Sequence, residues 1–224
     1  MSRPPVGFIV EGTGEYLAYG NIVRKGVRAA HGKLPIVNSY GCTALLHDLE
    51  QSLVDLTLAH HPVTIIVTLD MRDPIQAAIF PDCLSLRTAL QDRADRWLAE
   101  AIQNGVPTGP LPDTVRIVIQ VQTFESWLVA DAEGLRRAPP IRKNFAGHAC
   151  SDVDSELEAT TFLKDSCKRP TNLKHRDFVL QLSRCIKPQR AAASSRSFRK
   201  FWDEVVKAYE RWREVTGEAF ELLP

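Results

Sequence analysis

The stretch VGFIVEGTGE, Val6–Glu15, decides how this chain is read. Five apolar residues, Val6 to Val10, stop at Glu11-Gly12-Thr13-Gly14-Glu15, and Tyr16–Val27 continues with helical character. A short apolar strand closed by glycines and followed by a helix is the first β-α unit of an α/β sheet. Glu11 then stands at the strand's carboxyl end, where open α/β sheets place their sites. A carboxylate buried there without a partner is costly, so Glu11 calls for a cation, a metal or solvent. Gly12 and Gly14 let the backbone turn and approach a ligand closely. A nucleotide-binding P-loop is excluded, because no Lys-Ser/Thr pair follows.

Outward from this unit, Leu34–Tyr40 reads as a second strand and Thr43–His60 as an amphipathic helix ended by His60-His61-Pro62. Val63–Leu69 (VTIIVTL) is β-branched almost throughout, as a central parallel strand should be, and runs into Asp70-Met71-Arg72-Asp73-Pro74. Ser85–Gln103 has helical spacing, Asn104–Asp113 is a Gly/Pro-rich loop, and Val115–Val121 is a further strand that leads into QTFESWLVAD at Gln122–Asp131. Strands alternating with helices predict a mostly parallel α/β sheet with right-handed crossovers. Residues 1–135 form this core on the sequence reading, and residues 136–224 a helical, basic extension. The closing helix, Phe198–Val215, carries Phe201, Trp202, Val205, Val206, Tyr209 and Trp212 on one side, so it is expected to pack back on the core.

Composition places the chain among ordinary globular proteins, with 44% hydrophobic and 25% charged residues in 224. Five widely spaced cysteines with no C-x-x-C point to reduced thiols rather than a disulfide framework. The opening MSRPPVGF is too short and polar for a signal peptide, and no apolar run has membrane-spanning length, so a cytoplasmic location is expected. His148, Cys150, Cys167 and His175 fit no zinc spacing. A net charge of +1 conceals an uneven distribution: Lys164 to Lys200 holds eleven basic residues against two acids.

Carboxylates recur at strand ends or beside them: Glu11 and Glu15, Asp70 and Asp73, then Glu125. Asp131 reads as a helix end. Parallel neighbouring strands would bring Glu11 and Asp70 together, and several carboxylates in one place repel unless a cation compensates them. All-oxygen clusters suit Mg²⁺ or Mn²⁺, which polarise phosphodiesters and activate water. The basic stretch adds Lys174, Arg176, Arg196 and Arg199 as candidate contacts to a nucleic-acid backbone, and an acidic protein partner would suit the same charges.

The motifs IVEGTGE (Ile9–Glu15), IIVTLDMRD (Ile65–Asp73), QTFESWLVAD (Gln122–Asp131) and SFRKFWDEV (Ser197–Val205) resemble the DUF4276 family of Toprim-like proteins. Toprim domains place a glutamate and glycine after the first strand and Asp-x-Asp after a later one. The resemblance implies a Toprim-like fold, related to nucleases of the overcoming-lysogenization-defect type, and a setting in bacterial anti-phage defence loci, often beside an ATPase. Carried over, Glu11 is the Toprim glutamate, a metal ligand or general acid/base. Asp70 is the first aspartate of Asp-x-Asp, and Glu125 the glutamate of Phe-Glu-x-Trp. Arg72 stands where the second aspartate belongs, which makes Asp73 the next carboxylate in line. The implied activity is a metal-dependent nuclease. The alternative, kept open by Arg72, is a catalytically silent partner subunit of a defence-associated ATPase.

Overall fold

A computed structural model describes residues 3–72, 79–104, 109–148, 150–169, 172–173 and 175–224. In chain order the elements begin with strand β1 (Val6–Val10), helix α1 (Thr13–Gly26), β2 (Val27–Ala29) and β3 (Ile36–Asn38). Next come α2 (Cys42–His47), α3 (Leu49–His60), β4 (Thr64–Asp70), α4 (Cys83–Asn104) and β5 (Thr114–Gln120). The remainder is helical: α5 (Phe124–Val129), α6 (Ala132–Arg137), α7 (Val153–Glu156), α8 (Ala159–Ser166), α9 (Arg176–Ser183), α10 (Pro188–Ser194) and α11 (Arg196–Thr216). A last strand, β6 (Phe220–Leu222), pairs antiparallel with β2.

The main sheet has the order β3-β1-β4-β5, and every pair in it is parallel. Its strands alternate between two buried layers, as the pleat requires. Phe8, Val10, Ile66 and Val118 share a cluster with α1 and the C-terminal helices. Ile9, Ile65, Val67 and Ile117 share the other with α2, α3 and α4. The fold is therefore a Rossmann-like α/β/α sandwich. The chain leaves β1 for β3 on one side and reaches β4 and β5 on the other, so the switch point lies between β1 and β4. Ligand crevices of open α/β sheets form at such points.

The expected strands and the helix over Ser85–Gln103 are present to within about two residues at most ends. Thr43–His60 is not one helix: Asp48 leaves helical geometry (φ −106, ψ 23) and divides α2 from α3. The second strand is shorter than Leu34–Tyr40, because the chain turns at Tyr40 in the left-handed region (φ 59). The closing helix does pack back. Phe201 lies 5.9 Å from Phe8 and 4.9 Å from Tyr19, and Phe198 meets Trp127 at 5.3 Å, ring centre to ring centre. No helix among the described residues is long and apolar enough to cross a membrane.

Candidate metal centre

Because β1 and β4 are adjacent and parallel, Glu11 and Asp70 emerge side by side at their carboxyl ends. The backbone N–H of Asp70 donates to Glu11 Oε2 at 2.9 Å. Both line a pocket of about 430 Å³ that also takes in Glu15 from α1 and Glu125 from α5. Glu11 and Glu125 are half-buried, whereas Glu15 is only 4% exposed. Four of the five candidate metal ligands thus share one pocket. The fifth, Asp73, lies outside the described residues, as does Lys174 among the basic candidates.

Electrostatics mark Glu15 as the unusual member. Burial, then the like charges of Glu11 and Glu125, push its carboxyl up to about 7, although its own backbone N–H and Gln120 act in the opposite direction. Gln120, the last residue of β5, donates from Nε2 to Tyr19 Oη at 3.0 Å and to Glu15 Oε1 at 3.4 Å. Tyr19 in turn donates to Thr68 Oγ1 at 2.9 Å, and its own burial, reinforced by Glu15, pushes the phenol far up. A buried polar chain therefore runs under the carboxylates from β4 to α1 through β5. Sequence reasoning passed over Gln120 and Tyr19. The available signal was a glutamine closing an otherwise apolar strand, level with Asp70 in the sheet register.

Gly12 and Gly14 both line this pocket. Neither has a positive φ, and Gly12 is extended (φ −136, ψ 172). They also provide room for protein groups. A Cβ on Gly12 would lie 3.1 Å from Glu15 Oε2, and one on Gly14 would lie 3.0 Å from the Phe124 ring.

The family comparison covers all the pocket's acids. A family model described as a domain of unknown function, DUF4276, matches residues 10–206. The chain belongs to the DUF4276 family. No curated protein and no solved structure matches it. The DUF4276 span starts one residue before Glu11 and ends within α11, so it takes in both the switch point and the helix that covers the sheet.

The donor set consists of carboxylates alone, which suits a hard divalent ion. Among the described residues no group of three or more His, Cys, Asp or Glu side chains is gathered closely enough to hold a metal. Mg²⁺ does not require such a cage, since it is commonly held by one or two carboxylates plus water and substrate phosphates. Glu11 and Asp70 are two adjacent carboxylates of this pocket. The cation at the unexpected position turns elsewhere: Arg72 Nη1 lies 3.6 Å from Glu158 Oε1, and Arg72 does not line the pocket.

Of the basic candidates, Arg176 lines a second cavity, described below. Arg196 is ion-paired to Asp152 at 2.6 Å, and Arg199, exposed on α11, reaches the Ala192 carbonyl at 3.5 Å. Asp131 is a helix end as read, accepting from Gly134 N, but it is also buried and held bidentately by Arg190 at 2.7 and 2.8 Å.

Proposed function

We propose that this chain is a divalent-metal-dependent, Toprim-like phosphodiester hydrolase acting on nucleic acid, with Mg²⁺ or Mn²⁺ as its ion. The observation that carries this reading is the meeting of Glu11 and Asp70 at the β1/β4 switch point, in a pocket shared with Glu15 and Glu125. A bound Mg²⁺ or Mn²⁺ would neutralise these carboxylates, polarise a phosphodiester and activate water. Glu11 and Asp70 are the residues that would hold it. The Asp70 N–H fixes one oxygen of Glu11, which orients the other. Glu15, kept partly protonated near neutral pH, limits the negative charge that a phosphate has to meet. The resemblance to defence-associated Toprim proteins supports this reading and gives it a cellular setting.

The test is a cleavage assay on supercoiled DNA, single-stranded DNA and RNA with Mg²⁺, Mn²⁺ or EDTA. Cutting is expected with metal only, and Glu11→Gln or Asp70→Asn should each reduce it by about 100-fold or more. Cutting that survives EDTA or both substitutions would overturn the assignment. An absence of cutting together with no heat of metal binding in calorimetry would leave the silent partner-subunit reading.

A further inference from the structure

A second cavity, about 730 Å³, opens beside the carboxylate pocket between α1 and α9. Arg24 of α1, Lys33 ahead of β3, Arg176 of α9 and Arg184 just after it line this cleft, and all four are exposed. No Asp or Glu lines it among the described residues. None of the four enters an ion pair among the described residues. Part of the basic charge elsewhere is engaged internally, as with Arg190 on Asp131, Arg196 on Asp152 and the Lys187 ammonium on the Pro224 carbonyl at 3.2 Å. Four cations with no acid among the described lining residues make this cleft positive.

The cleft and the pocket share their walls. On α1, Glu15 faces the pocket and the next residue, Tyr16, faces the cleft. On α9, Val179 and Leu180 divide in the same way. Tyr16, Gly20 and Arg24 lie four residues apart along one face of α1, about 12 Å end to end, and the Arg24 guanidinium lies back over Gly20, donating to Asn21 Oδ1 at 2.8 Å. That length accommodates about three backbone phosphates.

Two exposed aromatic rings complete the arrangement. Tyr16 is 42% exposed and Tyr40, on the pocket rim, 85% exposed. Tyr40 keeps a left-handed backbone (φ 59) that is unfavourable for a bulky residue. It is held there by its N–H on Asn38 Oδ1 at 2.9 Å and by the Gly41 N–H on the Glu11 carbonyl at 2.8 Å. Rings presented beside a basic groove are stacking platforms for unpaired bases, whereas a duplex has its base faces already covered.

We infer that the α1/α9 cleft is a track for the backbone of a single strand of nucleic acid, which it leads to the carboxylate pocket with bases stacked on Tyr40 and Tyr16. This rests on the proposed function only for the fate of the strand. Binding can be tested without cleavage by using full-length Glu11→Gln protein in EDTA, with anisotropy of fluorescein-labelled 15-mers of dT and of U and a 15-base-pair duplex.

Single strands should bind more tightly than the duplex, and log K should fall with log salt with a slope of about −3 for four cations. The double reversal Arg176→Glu/Arg184→Glu should weaken binding at least about 10-fold and reduce the slope's magnitude by about 1.4, while Arg87→Glu on the opposite layer should not. Tyr40→Ala should cost about 10-fold, and Tyr40→Phe should restore it. Preference for one sugar over the other would name the strand as DNA or RNA within the same inference. Unchanged binding in the double variant, tighter binding of the duplex, or equal competition by polyglutamate would overturn it. Strand binding without metal-dependent cleavage would refute the proposed function and leave this inference standing. Cleavage with normal binding by the groove variants would do the reverse.

Discussion

Glu15 shows how much of a site depends on residues that a single sequence segment does not reveal. In EGTGE it looks like a first-turn acid that favours a helix N-terminus. In the fold it is buried beneath Glu11 and Glu125, and its carboxyl rises from 4.5 to about 7. Below pH 4.5 the group is protonated in both folded and unfolded chains and contributes no difference. Between about 4.5 and 7 the unfolded chain releases the proton and the folded one retains it, so stability falls as pH rises. The loss amounts to about 3 kcal/mol and is complete above pH 7. Glu15→Gln should therefore flatten this part of the profile and unfold later than the wild type in urea at pH 8, with the two converging near pH 4. Equal slopes for both proteins would show that Glu15 does not titrate in this range. Glu11 and Asp70 were legible because adjacent parallel strands must place them together. The burial of Glu15 was not, because the neighbours it meets include Gln120, which comes from a strand more than a hundred residues away.

At the scale of elements, period and punctuation carried most of the reading. The 3.6-residue stripe of α11 identified its buried side, and the β-branched run of β4 identified a central strand. The β2–β6 pair escaped because three-residue strands have no period, and their pairing joins Val27 to Leu222 across the chain. The division at Asp48 escaped because the leucine stripe continues through both α2 and α3. Glycines within α1 look equivalent in sequence and are opposite in space. A Cβ at Gly20 would meet only the Arg24 guanidinium at 3.9 Å, whereas one at Gly26 would lie 2.3 Å from Trp202. Gly20→Ala should thus gain about 0.5–1 kcal/mol from helix propensity, and Gly26→Ala should lose about 1–3 kcal/mol by overpacking. Thermal unfolding of the pair checks both signs, and stabilisation by Gly26→Ala would contradict the packing of α11 against α1.

For the whole molecule, the sheet was legible from alternation and the apolar face of the closing helix from its period, but the polar contacts that seat the C-terminal half were not. Buried polar contacts fix it at long sequence separation, and the residues involved look like ordinary helix caps. Asp154 is the clearest case, 2% exposed, accepting from Ser195 Oγ at 2.9 Å and from the Ser197 N–H at 2.7 Å. Ser197 Oγ accepts in turn from Trp127 Nε1 at 2.7 Å. Trp127 stacks on Tyr19 with ring centres 6.1 Å apart, so one carboxylate links the start of α11 to the buried chain beneath the pocket. Asp154→Ala strands donors in a dry interior and should cost about 3 kcal/mol, about 6–12 °C in Tm for a chain of this size. Asp154→Asn retains one acceptor oxygen and should fall between the wild type and alanine. Two residues away, the pair of Asp152 with Arg196, 62% exposed at the arginine side chain, offers the contrast. Solvent screens that pair, and Arg196→Ala should move stability by less than about 1 kcal/mol. A calorimetric series over these three variants distinguishes the two contacts. Similar shifts for Asp154→Ala and Arg196→Ala would mean that α11 is seated by its apolar face alone.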